Sequence, residues 1–186
     1  PATPILDEKV NYSGYSPENY DGKYHGYVSA REALAKSLNI PAVKTLQALG
    51  IKKGINYLNK LSLSVESADA SLALALGGMK QGFTLRNIMS AYTALQNRGN
   101  MKTGGFITEI KINDITVYKQ KNESKRVFSE ETAYLCTDIL KTAAKTGTAK
   151  KLRELSYPIA AKTGTSQKFD ILDENGNSYL RIGSTV

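Results

Sequence analysis

The sequence predicts an α/β chain in which helices flank antiparallel strands. Three observations point there. Capping residues Ser29, Thr84 and Ser129 each precede a run of good helix formers. Residues 106–119 alternate through Phe106, Ile107, Ile110, Ile112, Ile115 and Val117 around an Asn113-Asp114 turn, which is a hairpin pattern. A short apolar run, Ile159-Ala160-Ala161, leads into Lys162-Thr163-Gly164-Thr165-Ser166 as a further strand.

The elements follow in order. Residues 1–28 read as a loop, because Gly14, Pro17, Asn19, Asp21, Gly22 and Gly26 oppose a helix at that density. Tyr12, Tyr15, Tyr20, Tyr24 and Tyr27 within it are expected to pack the loop onto the body. Ser29 with Glu32 three residues on fits a capping box, and Ala30 to Lys36 are good helix formers. That helix must stop near Leu38, because Pro41 disfavours helical geometry at Ile40. Pro41 suits the first position of a second helix, Ala42 to Leu49, closed by Gly50. Ser37-Leu38-Asn39 therefore lies at a junction, where polar side chains can leave both helix axes.

Residues 51–63 suggest a short helix with Ile51, Ile55, Leu58 and Leu61 on one face. Thr84 caps a helix from Leu85 to Gln96, whose Leu85, Ile88, Met89, Tyr92 and Leu95 are expected in the core. Ser129 caps a helix from Glu130 to about Thr142; Cys136 within it, with no basic neighbour in sequence, reads as a buried inert thiol. Asp170 to Gly176 is a polar turn region, and Tyr179 to Val186 starts another strand.

Composition narrows the function. At 186 residues the chain has the size of one domain. One cysteine excludes an internal disulfide or a multi-cysteine zinc site, and one histidine, His25, would have to carry any histidine-based triad or metal cluster alone. The longest apolar run, Leu72 to Leu76, is far too short to cross a membrane. The start at Pro1, without Met or a leader pattern, reads as a piece of something longer. The net charge of +8 favours anionic partners. Yet the basic stretch Lys141, Lys145, Lys150, Lys151 and Arg153 carries no nucleic-acid signature, so it reads as a solvated face.

The tetrapeptide Lys-Thr-Gly-Thr occurs twice, at Lys145 to Thr148 and at Lys162 to Thr165. The first follows a helical pattern and reads as a helix end with a solvent-facing lysine. The second follows an apolar run. As a strand it would put Thr163 and Thr165 on one face, and two hydroxyls beside a lysine suit a carboxylate.

Ser37-Leu38-Asn39 with Ile40-Pro41-Ala42-Val43, taken with Lys162-Thr163-Gly164-Thr165, resembles the second and third active-site motifs of penicillin-binding protein transpeptidases. Tyr15 to Tyr20, Arg31 to Leu34, Leu74 to Gly78 and Gly147-Thr148-Ala149 resemble the bifunctional class A type, which also carries a glycosyltransferase domain. The family's first motif, Ser-x-x-Lys, is missing: Ser13, Ser16 and Ser29 are followed three residues later by Ser16, Asn19 and Glu32. Residues 1–186 are therefore expected to be a partial transpeptidase domain, holding the helical lobe and the Lys162 strand. The nucleophile region and the last strands would lie elsewhere.

The resemblance implies a serine transpeptidase/β-lactamase-like fold, an antiparallel sheet flanked by helices and incomplete in this chain. It implies peptidoglycan stem peptides as substrate, acylation by β-lactams, no cofactor or metal, and no nucleic acid. The chain's partner would be the remainder of its own transpeptidase domain. The parent would sit on the extracytoplasmic face of the bacterial membrane through an N-terminal anchor. Ser37, Asn39 and Lys162 would be catalytic, and Thr163, Gly164 and Thr165 would bind substrate. This chain alone is expected not to acylate. Two alternatives are a β-lactamase-like hydrolase and a non-enzymatic basic module for an anionic polymer. With sheet strands missing, the chain is expected to leave core surface exposed, and to pair with another chain, swap elements, or be helix-dominated with a poorly ordered C-terminal part.

Overall fold

The computed structural model describes all residues other than 104, 122, 165–168, 173–177 and 183–186, and the side chains of Phe169–Leu172 and Ser178–Ile182 are likewise outside it. It carries helices and antiparallel strand pairs, as expected. Among the described residues the strands form four separate two-stranded pairs rather than one sheet.

Residues 1–28 are not all loop. Strand β1 (Pro4–Asp7) pairs antiparallel with β2 (Gly26–Ser29), closing the turn-rich segment into a loop with a two-stranded base. The turn formers lie between the strands, and each strand is too short to announce itself by alternation. Of the five tyrosines only Tyr12 and Tyr15 are half-buried, while Tyr20, Tyr24 and Tyr27 are exposed, contrary to the expectation. Asp7, Pro17, Asn19 and Val28 are the buried residues of this segment.

Helix α1 (Ala30–Lys36) starts at Ser29, whose hydroxyl accepts from the Glu32 N–H. The other half of the capping box does not form, because the Glu32 carboxylate pairs with Lys36 at 2.7 Å. Helix α2 (Asn39–Leu49) begins three residues earlier than the proline suggested, which puts Pro41 in its first turn. A first-turn residue needs no N–H, so proline is tolerated there. A single helix running through Ser37 would drive the Pro41 ring into the Ser37 carbonyl, so the chain breaks at Ser37-Leu38.

Helix α3 (Ile51–Lys60) follows, then a 3-10 turn at Leu72–Leu76. Helix α4 (Leu85–Gln96) is capped by Thr84, as expected. Its apolar stripe is not core. Leu85 and Met89 are 73% and 62% exposed, and Ile88 and Tyr92 are exposed as well. The opposite face, Ala91 and Ala94, packs on β3 (Asn100–Lys102) and α5. Small side chains permit that close approach, and the long apolar ones point away from it. Strand β3 pairs with β6 (Ser124–Arg126), and Ala94, Met101 and Val127 form a core cluster with Leu61 and Phe128 against it.

Strands β4 (Glu109–Ile112) and β5 (Ile115–Lys119) form the expected hairpin. Asn113 and Asp114 at its tip both have positive φ, 48° and 63°. That geometry matches a type I′ turn, which asparagine and aspartate tolerate better than most residues. The hairpin is exposed along its length. Its Ile110, Ile112, Ile115 and Val117 are exposed, as are Leu85 and Met89 of the α4 stripe.

Helix α5 (Glu130–Thr146) is capped by Ser129 and runs one turn past Thr142. It packs along α1. The Arg31 guanidinium donates to the Thr142 hydroxyl at 2.7 Å and to the Asp138 carbonyl at 3.1 Å, and it also pairs with the Asp138 carboxylate. Cys136 is half-buried, and burial pushes its thiol pKa up, in keeping with an inert role. Strand β7 (Phe169–Leu172) pairs with β8 (Ser178–Ile182), so the stretch read as a turn from Asp170 begins as strand. The expectation of poor C-terminal order falls partly on residues outside those described.

Candidate active site

The break between α1 and α2 turns Ser37 outward. Ser37 closes α1 in the left-handed conformation, φ 58° and ψ 44°, and the Leu38 N–H reaches back to the Ala33 carbonyl at 2.9 Å. A serine held there costs about 1–2 kcal/mol relative to glycine. The hydroxyl it presents points at a residue 125 positions later: the Lys162 ammonium donates to Ser37 Oγ at 2.8 Å. The same ammonium donates to the Thr163 carbonyl at 2.8 Å and approaches the Thr163 hydroxyl at 3.4 Å.

Lys162 has no carboxylate partner among the described residues. It is half-buried, and burial holds its pKa below the usual lysine range. This has a sign. Below the lowered pKa, Lys162 is charged in both folded and unfolded chains, and folding carries the full desolvation cost. Between that pKa and the ordinary value of 10.5, the unfolded chain binds more protons, so stability rises with pH. Urea melts across the alkaline range are expected to show wild type gaining stability relative to Lys162→Met. Parallel pH profiles would contradict the burial argument.

Asn39 sits two residues beyond Ser37 in the first turn of α2. Its side-chain amide donates to the Glu18 carbonyl at 2.7 Å. Its carbonyl oxygen and second N–H have no partner among the described residues. Gly164 is exposed, and among the described residues a Cβ built on it would meet nothing within 4 Å. Thr165 lies outside the described residues, and so does the shared face expected of Thr163 and Thr165.

Residues 162–164 are not strand, contrary to the expectation. A strand needs a ladder partner, and no backbone ladder is formed by these residues among those described; the preceding Ala161 N–H donates to the Leu140 carbonyl of α5 at 3.3 Å.

The first tetrapeptide divides. Lys145 is exposed in the last turn of α5, as expected of a solvent-facing lysine. Thr148, which the resemblance includes but gives no site role, joins the site. Its hydroxyl shares a 2.7 Å hydrogen bond with that of Thr163, and its N–H donates to the Ala35 carbonyl at 3.0 Å. Gly147 makes that junction possible, since a Cβ there would lie 2.2 Å from the Ala35 carbonyl oxygen. Thus the second tetrapeptide is fastened to the first and, through it, to the end of α1. The repeat itself was the available signal for Thr148.

The arrangement can hold a hydroxyl beside a fixed, partly dehydrated cation, with an amide nearby and open space beside Gly164. That equipment suits proton transfer at a hydroxyl and binding of a carboxylate.

The family model described as penicillin binding protein transpeptidase domain matches residues 4–186. Penicillin-binding protein 1A/1B of Bacillus subtilis is 36% identical over 183 residues, which is 97% of this chain and 20% of that protein. Penicillin-binding protein 1A of Streptococcus pneumoniae is 32% identical over 94% of this chain and 25% of that protein. The chain thus spans about a fifth to a quarter of these relatives. Among solved structures, penicillin-binding protein 1A from Haemophilus influenzae aligns at a TM-score of 0.78 and 22% identity, covering 89% of this chain and 31% of that one. Penicillin-binding protein A from M. tuberculosis, in its ceftriaxone acyl-enzyme complex, aligns at 0.77 and 20% identity, covering 89% and 42%. At these identities the structural likeness speaks for the fold alone.

Proposed function

The chain belongs to the penicillin-binding protein transpeptidase family, and on that footing we propose that it forms part of a peptidoglycan D,D-transpeptidase. The reaction is acyl transfer. A serine attacks the D-Ala-D-Ala amide, D-alanine leaves, and a neighbouring strand's amine resolves the acyl-enzyme. No Ser-x-x-Lys occurs in these 186 residues, so the attacking serine belongs to sequence outside them.

The residues here serve the steps around that attack. Ser37, whose hydroxyl both donates and accepts, passes a proton toward the leaving amine nitrogen. Lys162 supplies positive charge to Ser37 and to the substrate's terminal carboxylate, where a partly dehydrated setting strengthens it. Asn39 holds the substrate's side-chain amide with its free carbonyl oxygen and second N–H. Thr163 and Thr165 bind the terminal carboxylate, and the Thr165 N–H joins the oxyanion hole. Gly164 leaves room for the acyl chain. β-Lactams, which acylate the M. tuberculosis protein as its structure's description states, take the same place. The parent carries the glycosyltransferase domain of the class A type and works outside the cytoplasmic membrane, anchored there by its N-terminal part.

One observation supports this above the rest: the 2.8 Å hydrogen bond from Lys162 to Ser37, which joins two motifs far apart in sequence. The β-lactamase-like hydrolase and the basic polymer-binding module draw no support from the relatives. The test is covalent labelling with a fluorescent penicillin. The full-length protein is expected to take up label at a serine outside these residues, and the 186-residue chain to take up none. Label on this chain, or none on the full-length protein, refutes the proposal.

A further inference from the structure

Helix α2 has no cap of its own, because its N-cap position is Leu38. The cap comes from the loop between β1 and β2. Asn19 is 5% exposed, and its Oδ1 accepts from the N–H of Asn39 at 2.9 Å and of Ile40 at 3.3 Å. Its Nδ2 donates to Asp7 Oδ2 at 2.7 Å and to the Lys23 carbonyl at 2.8 Å. A primary amide has two donors and two acceptor lone pairs, and here all four are used. The amide can neither rotate nor flip without losing bonds.

Asp7, 1% exposed on β1, anchors the far end. Its Oδ2 also accepts from the His25 N–H at 3.0 Å and faces His25 Nδ1 at 2.7 Å. The residue preceding Asn19 completes the grip, since the Glu18 carbonyl accepts the Asn39 side-chain amide at 2.7 Å. The loop therefore holds both the backbone and the side chain of Asn39.

We propose that Asn19, braced by Asp7, is a positioning residue that sets the orientation of Asn39 in the site. This rests on the transpeptidase reading above, because it needs Asn39 to touch substrate. A loop needed only to stabilise the fold has no reason to bind the Asn39 side chain itself. Capping α2 accounts for the bonds from the Asn39 and Ile40 N–H groups, and the separate grip of Glu18 on the Asn39 side chain is what ties the loop to the site.

The test uses the full-length protein, with fluorescent-penicillin acylation rates measured well below the melting temperature alongside thermal melts. Asn19→Ala is expected to slow acylation of folded protein about 10–100-fold, the scale of a misplaced contact group. In an Asn39→Ala background the same substitution is expected to add little to the loss of rate while still lowering the melting temperature, since groups acting through one another are not additive. Asn19→Asp sets a carboxylate against Asp7 and is expected to slow acylation. Asn19→Asp carries the test if Asn19→Ala does not fold.

A wild-type rate in folded Asn19→Ala or Asn19→Asp, or fully multiplicative losses with Asn39→Ala, would each overturn the inference and leave the transpeptidase reading standing. A wild-type rate in Asn39→Ala would overturn the inference through its premise, by showing that Asn39 does not serve the site.

Discussion

Lys162→Ala is expected to lower β-lactam acylation of the full-length protein by about 10²–10⁴-fold, the range of a lost acid–base or electrostatic group. The ammonium makes its closest contacts with Ser37 Oγ and the Thr163 carbonyl, and no other cation takes part in a hydrogen bond to Ser37 among the described residues. Alanine leaves the Ser37 hydroxyl without its donor and removes the positive charge from the rim of the site. Lys145 provides the contrast. It begins an identical tetrapeptide, yet it lies exposed at the end of α5. Lys145→Ala is expected to leave the acylation rate unchanged, with stability within about 0.5 kcal/mol, as for an ordinary surface substitution. The measurement is the second-order rate of label incorporation into both variants. Equal losses would reject the choice of the second tetrapeptide over the first.

Gly147→Ala is expected to destabilise the chain by about 2–3 kcal/mol or more, at the upper end of overpacking penalties. The added carbon would lie 2.2 Å from the Ala35 carbonyl oxygen and 2.9 Å from the Ala143 Cα. Both obstacles are backbone atoms of packed helices, so no side chain can rotate aside. The chain can respond only by parting α1 from the end of α5. That motion breaks the bond from the Thr148 N–H to the Ala35 carbonyl, two residues before Ser37. The loss should therefore show twice: as a lower urea midpoint, and as slower acylation of the protein that remains folded. Gly164→Ala supplies the stability control, since its new methyl group meets nothing within 4 Å among the described residues. Equal urea midpoints for the two alanine variants would contradict the packing argument.

Much of the secondary structure was legible because it is decided locally. The caps at Ser29, Thr84 and Ser129 each close within three residues, as each hydroxyl accepts the N–H three positions on. The Asn113-Asp114 turn likewise depends on backbone preferences that those two residues carry themselves. The site was legible for a different reason. Ser37-Leu38-Asn39 and Lys162-Thr163-Gly164 are short motifs whose meaning comes from resemblance, and the two do meet. Asn19 and Thr148 were harder to find, since Asn19 reaches Asp7 and Ile40, 12 and 21 residues away, and Thr148 reaches Thr163 and Ala35, 15 and 113 residues away.

The amino-acid order by itself determined where helices start, where the hairpin turns, and why the backbone must break beside Pro41. Those outcomes follow from sterics and hydrogen bonds within a few residues. Only the tertiary structure decided which face of α4 is covered, that Lys162 and Thr163 bond to Ser37 and Thr148, and that a buried asparagine from a distant loop caps α2. Periodicity shows that a helix has an apolar side. Whether that side is buried depends on what packs against it, and here Ala91 and Ala94 supply the contact face.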